Sequence, residues 1–139
     1  MSFSLDPRLA ADTLPVCDLP LSTVCLMNDS RFPWLLLVPR RVGASELLDL
    51  EPADRLRLWD EVSIASRALM AVTKPKKLNV GAIGNIVAQL HVHVVARREE
   101  DATWPRPVWG VGTAEAYDPA LARALIESIE DAKIGRAHV

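Results

Sequence analysis

Short apolar runs separated by prolines and small polar residues mark the first third of the chain. Leu21 to Met27 and Trp34 to Val38 are bounded by Pro20, by Asn28-Asp29-Ser30 and by Pro39. They predict two buried strands paired as a hairpin. After Pro52 the apolar residues Leu58, Val62, Ala65, Leu69 and Val72 recur at alternating steps of four and three. This spacing predicts one apolar face of a long helix, with Pro52 in its first turn. Trp34 and Trp59 are assigned to the core. Lys74-Pro75-Lys76-Lys77 ends the helix, because proline disfavours helical geometry in the residue before it, and the lysines read as a solvated helix end.

Two further strands are expected, Leu78 to Ile83 and Ile86 to Arg97, with a turn near Gly84-Asn85. The Pro-, Trp- and Gly-rich stretch from Thr103 to Gly112 predicts an ordered loop held by its aromatics. Asp118 and Pro119 then open a last helix, expected to bury Leu121, Leu125 and Ile129 and to end before Gly135. The predicted fold class is α+β: an antiparallel sheet of about five strands with a long helix and a C-terminal helix packed against it.

Composition narrows the function classes. With 139 residues, half of them apolar and 24% charged, the chain is expected to form a single domain over residues 1 to 139. No apolar run approaches the length of a membrane span, and no secretory or import leader is evident at the start, so a cytoplasmic location is expected. A net charge of -2 argues against stable nucleic-acid binding, but leaves room for a small phosphate-bearing ligand recognised by local donors. Cys17 and Cys25 lie in apolar surroundings and read as reduced core thiols.

The candidate chemistry lies in Gln89-Leu90-His91-Val92-His93-Val94-Val95. Side chains alternate along a strand, so Gln89, His91 and His93 share one face while Leu90, Val92 and Val94 share the other, toward the helices. Three nitrogen-bearing side chains in line can bind phosphate, orient one another and divide nucleophile and acid roles between two imidazoles. The rival readings are two structural histidines, or a zinc site; the latter needs a third ligand, and the remaining histidine, His138, is near the chain end.

The segment resembles the histidine-triad signature, histidine-apolar-histidine-apolar-histidine-apolar-apolar, with Gln89 in the first position. Asn79-Val80-Gly81 and Gly84-Asn85 are similar to the family's Asn-x-Gly and Gly-Gln elements in the same order, Leu37-Val38-Pro39-Arg40-Arg41 resembles its strand ending in Pro-Lys-Lys or Pro-Arg-Arg, and Trp104-Pro105 resembles a pair in one branch. Together these cover roughly residues 20 to 110. The resemblance implies a nucleotide hydrolase cleaving phosphoanhydride or related bonds at a nucleoside α-phosphate, such as those of dinucleoside polyphosphates or nucleoside phosphoramidates, through a nucleotidyl-histidine. The alternatives are a nucleotidyl transferase, or a catalytically weakened nucleotide-binding or regulatory module.

Position by position, the resemblance makes His91 the nucleophile and has His93 contact a phosphate oxygen and assist the leaving group. Gln89 and Asn85 become orienting donors, Asn79 lies near the scissile phosphate, and Asn28 or Asp29 holds the ribose. It also implies a homodimer with joined sheets, and no required cofactor, though magnesium can accompany the substrate's phosphates. Gln89 cannot titrate, and Val42 stands where the family often has a histidine; Arg40 or Arg41 is a candidate source of the lost positive charge. Trp104 and Trp109 are read either as loop anchors or as stacking residues for the substrate.

Overall fold

Three antiparallel strands come first in the sheet. β1 (Thr13–Asp18), β2 (Ser22–Met27) and β3 (Trp34–Pro39) lie side by side, β5 (Val92–Arg97) pairs with β3, and β4 (Lys77–Gly81) forms the far edge, giving the order β1-β2-β3-β5-β4. The computed structural model describes residues 2–132. The helices are α1 (Pro7–Asp12), α2 (Pro52–Thr73) and α3 (Pro119–Asp131), with a 3-10 turn at Leu47–Asp49. This is the expected α+β architecture, with the expected hairpin formed by β2 and β3, Ser22 opposite Pro39 and Leu26 opposite Leu35.

Alternation along the strands separates two apolar layers. Val24, Leu26, Leu35, Leu37, Val92, Val94 and Ala96 face Leu58, Val62, Ala65 and Leu69 of α2 and Ile129 of α3. Burying a side chain of this size stabilises the fold by roughly 1.5–3 kcal/mol before the cost of ordering the chain is counted. Helix α2 starts at Pro52 and is capped after Thr73 by Lys74, whose left-handed backbone (φ 47°) returns its N–H to Met70 C=O; Pro75 follows. Inside this layer the buried carboxylate of Glu61 accepts the Leu21 and Ser22 N–H groups at 2.8 Å each, fastening the β1–β2 turn to α2.

The opposite face is not open either. Cys25, Trp34, Leu36, Val38 and Val95 form a second layer with Leu9, Phe32 and Val108, and Phe3, Leu5 and Trp109 pack against it. Both cysteines are free, Cys25 buried and Cys17 half-buried, and burial is the main cause that pushes the Cys17 thiol up to about 11.

Several expectations need correction. Strand β4 stops at Gly81 and β5 starts only at Val92, so residues 82 to 91 form an irregular loop rather than strand ends about a tight turn. Within it Leu90 N–H bonds to Ala44 C=O instead of to β4. Trp59 is 66% exposed, because one residue beyond Leu58 the helix has turned away from the core stripe. Leu121 is exposed as well; α3 buries Ala122 and Ile129. Strand β1 and helix α1 were not anticipated. The expected end of the last helix before Gly135, and His138, lie outside the described residues.

Candidate active site

The register places Cys25, Leu36, His93 and Gly81 in one row across β2, β3, β5 and β4. His93 therefore emerges in the middle of the second apolar layer, 5% exposed. His91, one residue before the strand begins, is 6% exposed, and the two rings meet edge to face with centroids 4.8 Å apart. Aromatic rings complete the wall around His93: Trp34 at 5.7 Å and Trp109 at 5.4 Å between centroids.

The partners of the two imidazoles differ in kind. His91 Nδ1 lies 2.7 Å from the main-chain carbonyl oxygen of Gln89. A carbonyl can only accept, so this contact puts the proton on Nδ1 and leaves the Nε2 lone pair free. His93 Nδ1 accepts a hydrogen bond from the Trp34 indole N–H at 3.0 Å. Burial, and then the neighbouring His91, lower the His93 pKa to about 4.

His91 opens on a cavity of about 200 Å³ between residues 45–48 and 82–84, where Glu46 is the charged residue of the lining and Leu47, Leu48 and Ile83 make much of its wall. Asn85 is exposed in the loop that borders it. Gln89 is engaged elsewhere: its Oε1 accepts Asp6 N–H at 2.8 Å and its Nε2 donates to Ser4 C=O at 2.9 Å. Its side chain thereby pins the segment whose Phe3 and Leu5 cover the second layer.

Asn79 accepts from Arg97 Nη1 through Oδ1 at 2.8 Å, which leaves its amide nitrogen as a free donor type. Asn28 and Asp29 follow the end of β2 that pairs toward Trp34 and Val95, at the opposite end of the sheet from His91. Asn28 Oδ1 accepts Tyr117 N–H, and Asp29 is bound by Arg31 at 2.8 Å. Burial would raise the Asp29 carboxyl, but bonds from Arg31 and the Glu115 N–H outweigh it and hold the pKa below the usual range. These two residues are thus brought together with the 111–117 segment and not with the histidines. Arg41 pairs with Asp54, and Arg40 bonds the Leu19 and Pro20 carbonyls.

The loop carrying Trp109 is held from below by Arg97. That guanidinium, 1% exposed, bonds both oxygens of Asp101 as well as Asn79 and Thr103, and lies against the rings of Phe32 and Trp104. Trp104 therefore anchors the loop, while Trp109 reaches His93. Sequence reading missed Trp34 as a site residue and Gln89 as a latch, since each acts on a partner 59 or more positions away. Among the described residues no three His, Cys, Asp or Glu side chains converge as a metal site would require.

The HIT domain family matches residues 8–100. The chain is similar in structure to a histidine triad protein of Bradyrhizobium japonicum (48% identity, TM-score 0.92, 94% of this chain and 98% of that one). It is also similar to one of Sinorhizobium meliloti (46%, TM-score 0.92, 93% and 96%) and to one of Marinobacter aquaeolei (36%, TM-score 0.94, 99% and 100%). Curated proteins returned no match. With a family match over most of its length and such neighbours, the chain belongs to the histidine-triad family.

Proposed function

We propose that the protein is a nucleotide hydrolase that cleaves a phosphoanhydride or related bond at a nucleoside α-phosphate through a nucleotidyl group on His91. The observation that carries this reading is the 2.7 Å contact between Nδ1 of the cavity-lining His91 and the Gln89 carbonyl, which occupies Nδ1 and leaves Nε2 as the nitrogen for attack. A lone pair fixed in this way is prepared for attack on phosphorus, and splitting the displacement in two lets water finish the reaction. His93 assists the leaving group, the exposed Asn85 amide of the bordering loop serves a phosphate oxygen, and Gln89 acts through its main-chain carbonyl. Magnesium, if used, would arrive with the substrate's phosphates. Turnover of labelled dinucleoside polyphosphates that disappears in His91→Ala supports the proposal; equal turnover in that variant refutes it.

A second reading, a nucleotide-binding or regulatory module, is favoured by one observation. Residues 3 to 5 pack over the face that carries His93, and Gln89 holds them there. Saturable nucleotide binding without product would select it.

We also propose a homodimer joined along β4, in the cytoplasm. Strand β4 is a sheet edge with exposed Val80, and an apolar hollow of about 240 Å³ beside it is lined by Leu47, Leu58, Trp59 and Val62. An unpaired edge beside an exposed tryptophan is a surface that a second copy would cover. No helix of the described residues is long and apolar enough to cross a membrane.

A further inference from the structure

We infer that Trp34 is a positioning residue that fixes His93 as a neutral Nε2–H donor, and so restricts the site to leaving groups that depart as anions without taking a proton from His93. The inference rests on the proposed nucleotidyl chemistry at His91, and deepens it to a substrate class.

The geometry that carries it is the 3.0 Å contact between Trp34 Nε1 and His93 Nδ1. An indole nitrogen only donates, so the bond exists only while His93 Nδ1 is bare and its single proton sits on Nε2. Protonating Nδ1 would set two N–H groups against each other in a wall where neither can turn to water, since Trp34 and His93 are both buried. An imidazolium at His93 is therefore disfavoured twice, by lost hydrogen bonding and by burial. The groups facing His93 add no negative charge to offset this. They are His91 on its own strand segment, Trp34 and Leu36 from β3, Gly81 from β4, Trp109 from the loop, and the buried Cys25 thiol in the same row, whose pKa is raised chiefly by burial. Trp109 Nε1 is likewise only a donor and has no partner among the described residues.

A neutral imidazole has no acidic proton to give at ordinary pH, but its N–H can hydrogen-bond an anion. The step then balances without an acid. The His91 Nε2 lone pair forms the N–P bond, and the bond from phosphorus to the leaving oxygen breaks with its electron pair on that oxygen. Water later displaces His91, the pair returns to Nε2, and the water proton passes to solvent. Acidic leaving groups such as phosphates or nitrophenolate suit this arrangement, whereas amines and alkoxides need a proton and do not.

Histidine ring nitrogen-15 spectra of the unmodified protein test the tautomer. They should show His93 with a bare Nδ1 and a protonated Nε2, unchanged from pH 8 to pH 5; a protonated Nδ1, or a His93 transition near pH 6 or above, overturns the inference. Leaving-group dependence is read from single-turnover labelling by p-nitrophenyl and phenyl esters and a simple amide of adenosine monophosphate. The rate should fall steeply from nitrophenyl ester to amide. In Trp34→Phe, His93 should titrate closer to neutral pH and that spread should narrow by about a hundredfold, the lower reach of general-acid assistance. Equal rates for nitrophenyl ester and amide, or a Trp34→Phe variant with an unaltered His93 ring spectrum, would also overturn it. Absence of labelling by every ester refutes the nucleotidyl reading instead, and is recognised because the ring spectrum, which requires no turnover, is read independently.

Discussion

Gln89 Oε1 accepts the main-chain N–H of Asp6 at 2.8 Å, across 83 positions of sequence. With the second bond from Nε2 to Ser4 C=O, the amide is a two-point latch on the amino-terminal segment. Removing it in Gln89→Ala leaves the part-buried Asp6 N–H without its partner, while the exposed Ser4 carbonyl turns to water, at a net cost of about 1 kcal/mol. Amide hydrogen exchange at residues 3 to 6 should accelerate in the variant while exchange in β2 and β3 stays unchanged. If the segment also hinders nucleotide entry, Gln89→Ala binds nucleotide faster than the parent; an unchanged association rate assigns the latch a structural role alone.

Stability should depend on His93 between pH 4 and pH 6.5. Its folded pKa is lowered from 6.5 to about 4, so in this interval the unfolded chain binds the proton and the folded one does not. Stability therefore rises with pH through the interval: the contribution is fully present above the unfolded value and is lost as pH falls toward the folded one. A shift of this size corresponds to about 3 kcal/mol. Urea unfolding at several pH values should show this slope, and His93→Phe should flatten it.

Asp101 is predicted to be the most sensitive residue of the loop. Burial raises its carboxyl, but bonds from Arg97 and the N–H groups of Arg98, Thr103 and Trp104 prevail and bring the pKa to about 2. Asp101→Ala strands a buried guanidinium, a loss of about 3–5 kcal/mol. Tryptophan fluorescence should report displacement of Trp104 and Trp109 before global unfolding.

The proposed β4 interface can be broken without touching the histidines. Trp59→Glu together with Val80→Lys places charges on the exposed edge and helix face. Light scattering should then find a monomer with the parental circular dichroism spectrum. A parent that is itself monomeric at tens of micromolar removes the dimer proposal.

Legibility in the sequence followed the range of the interactions. The β2–β3 hairpin and the core stripe of α2 could be read because local periodicity alone defines them. Strand β1 was hidden by Pro15 and by the irregularity between Pro15 and Cys17, which interrupts alternation. Residues 86 to 91 carry strand-like apolar content, but Ile86 is exposed and Leu90 pairs with Ala44, a tertiary choice that overrides propensity. The approach of His91 to His93 was legible for the same local reason. The Trp34 bond, the Gln89 latch and the use of Asn28 and Asp29 to hold the 111–117 segment were not, because each depends on which distant strand arrives alongside.

Intact-mass analysis of the protein quenched in acid-free conditions during turnover of the p-nitrophenyl ester of adenosine monophosphate tests the central claim most directly. The account predicts a transient nucleotidyl adduct, mapped by peptide fragmentation to His91 and absent from His91→Ala. Product release with the adduct on another residue, or an adduct that persists in His91→Ala, would contradict it.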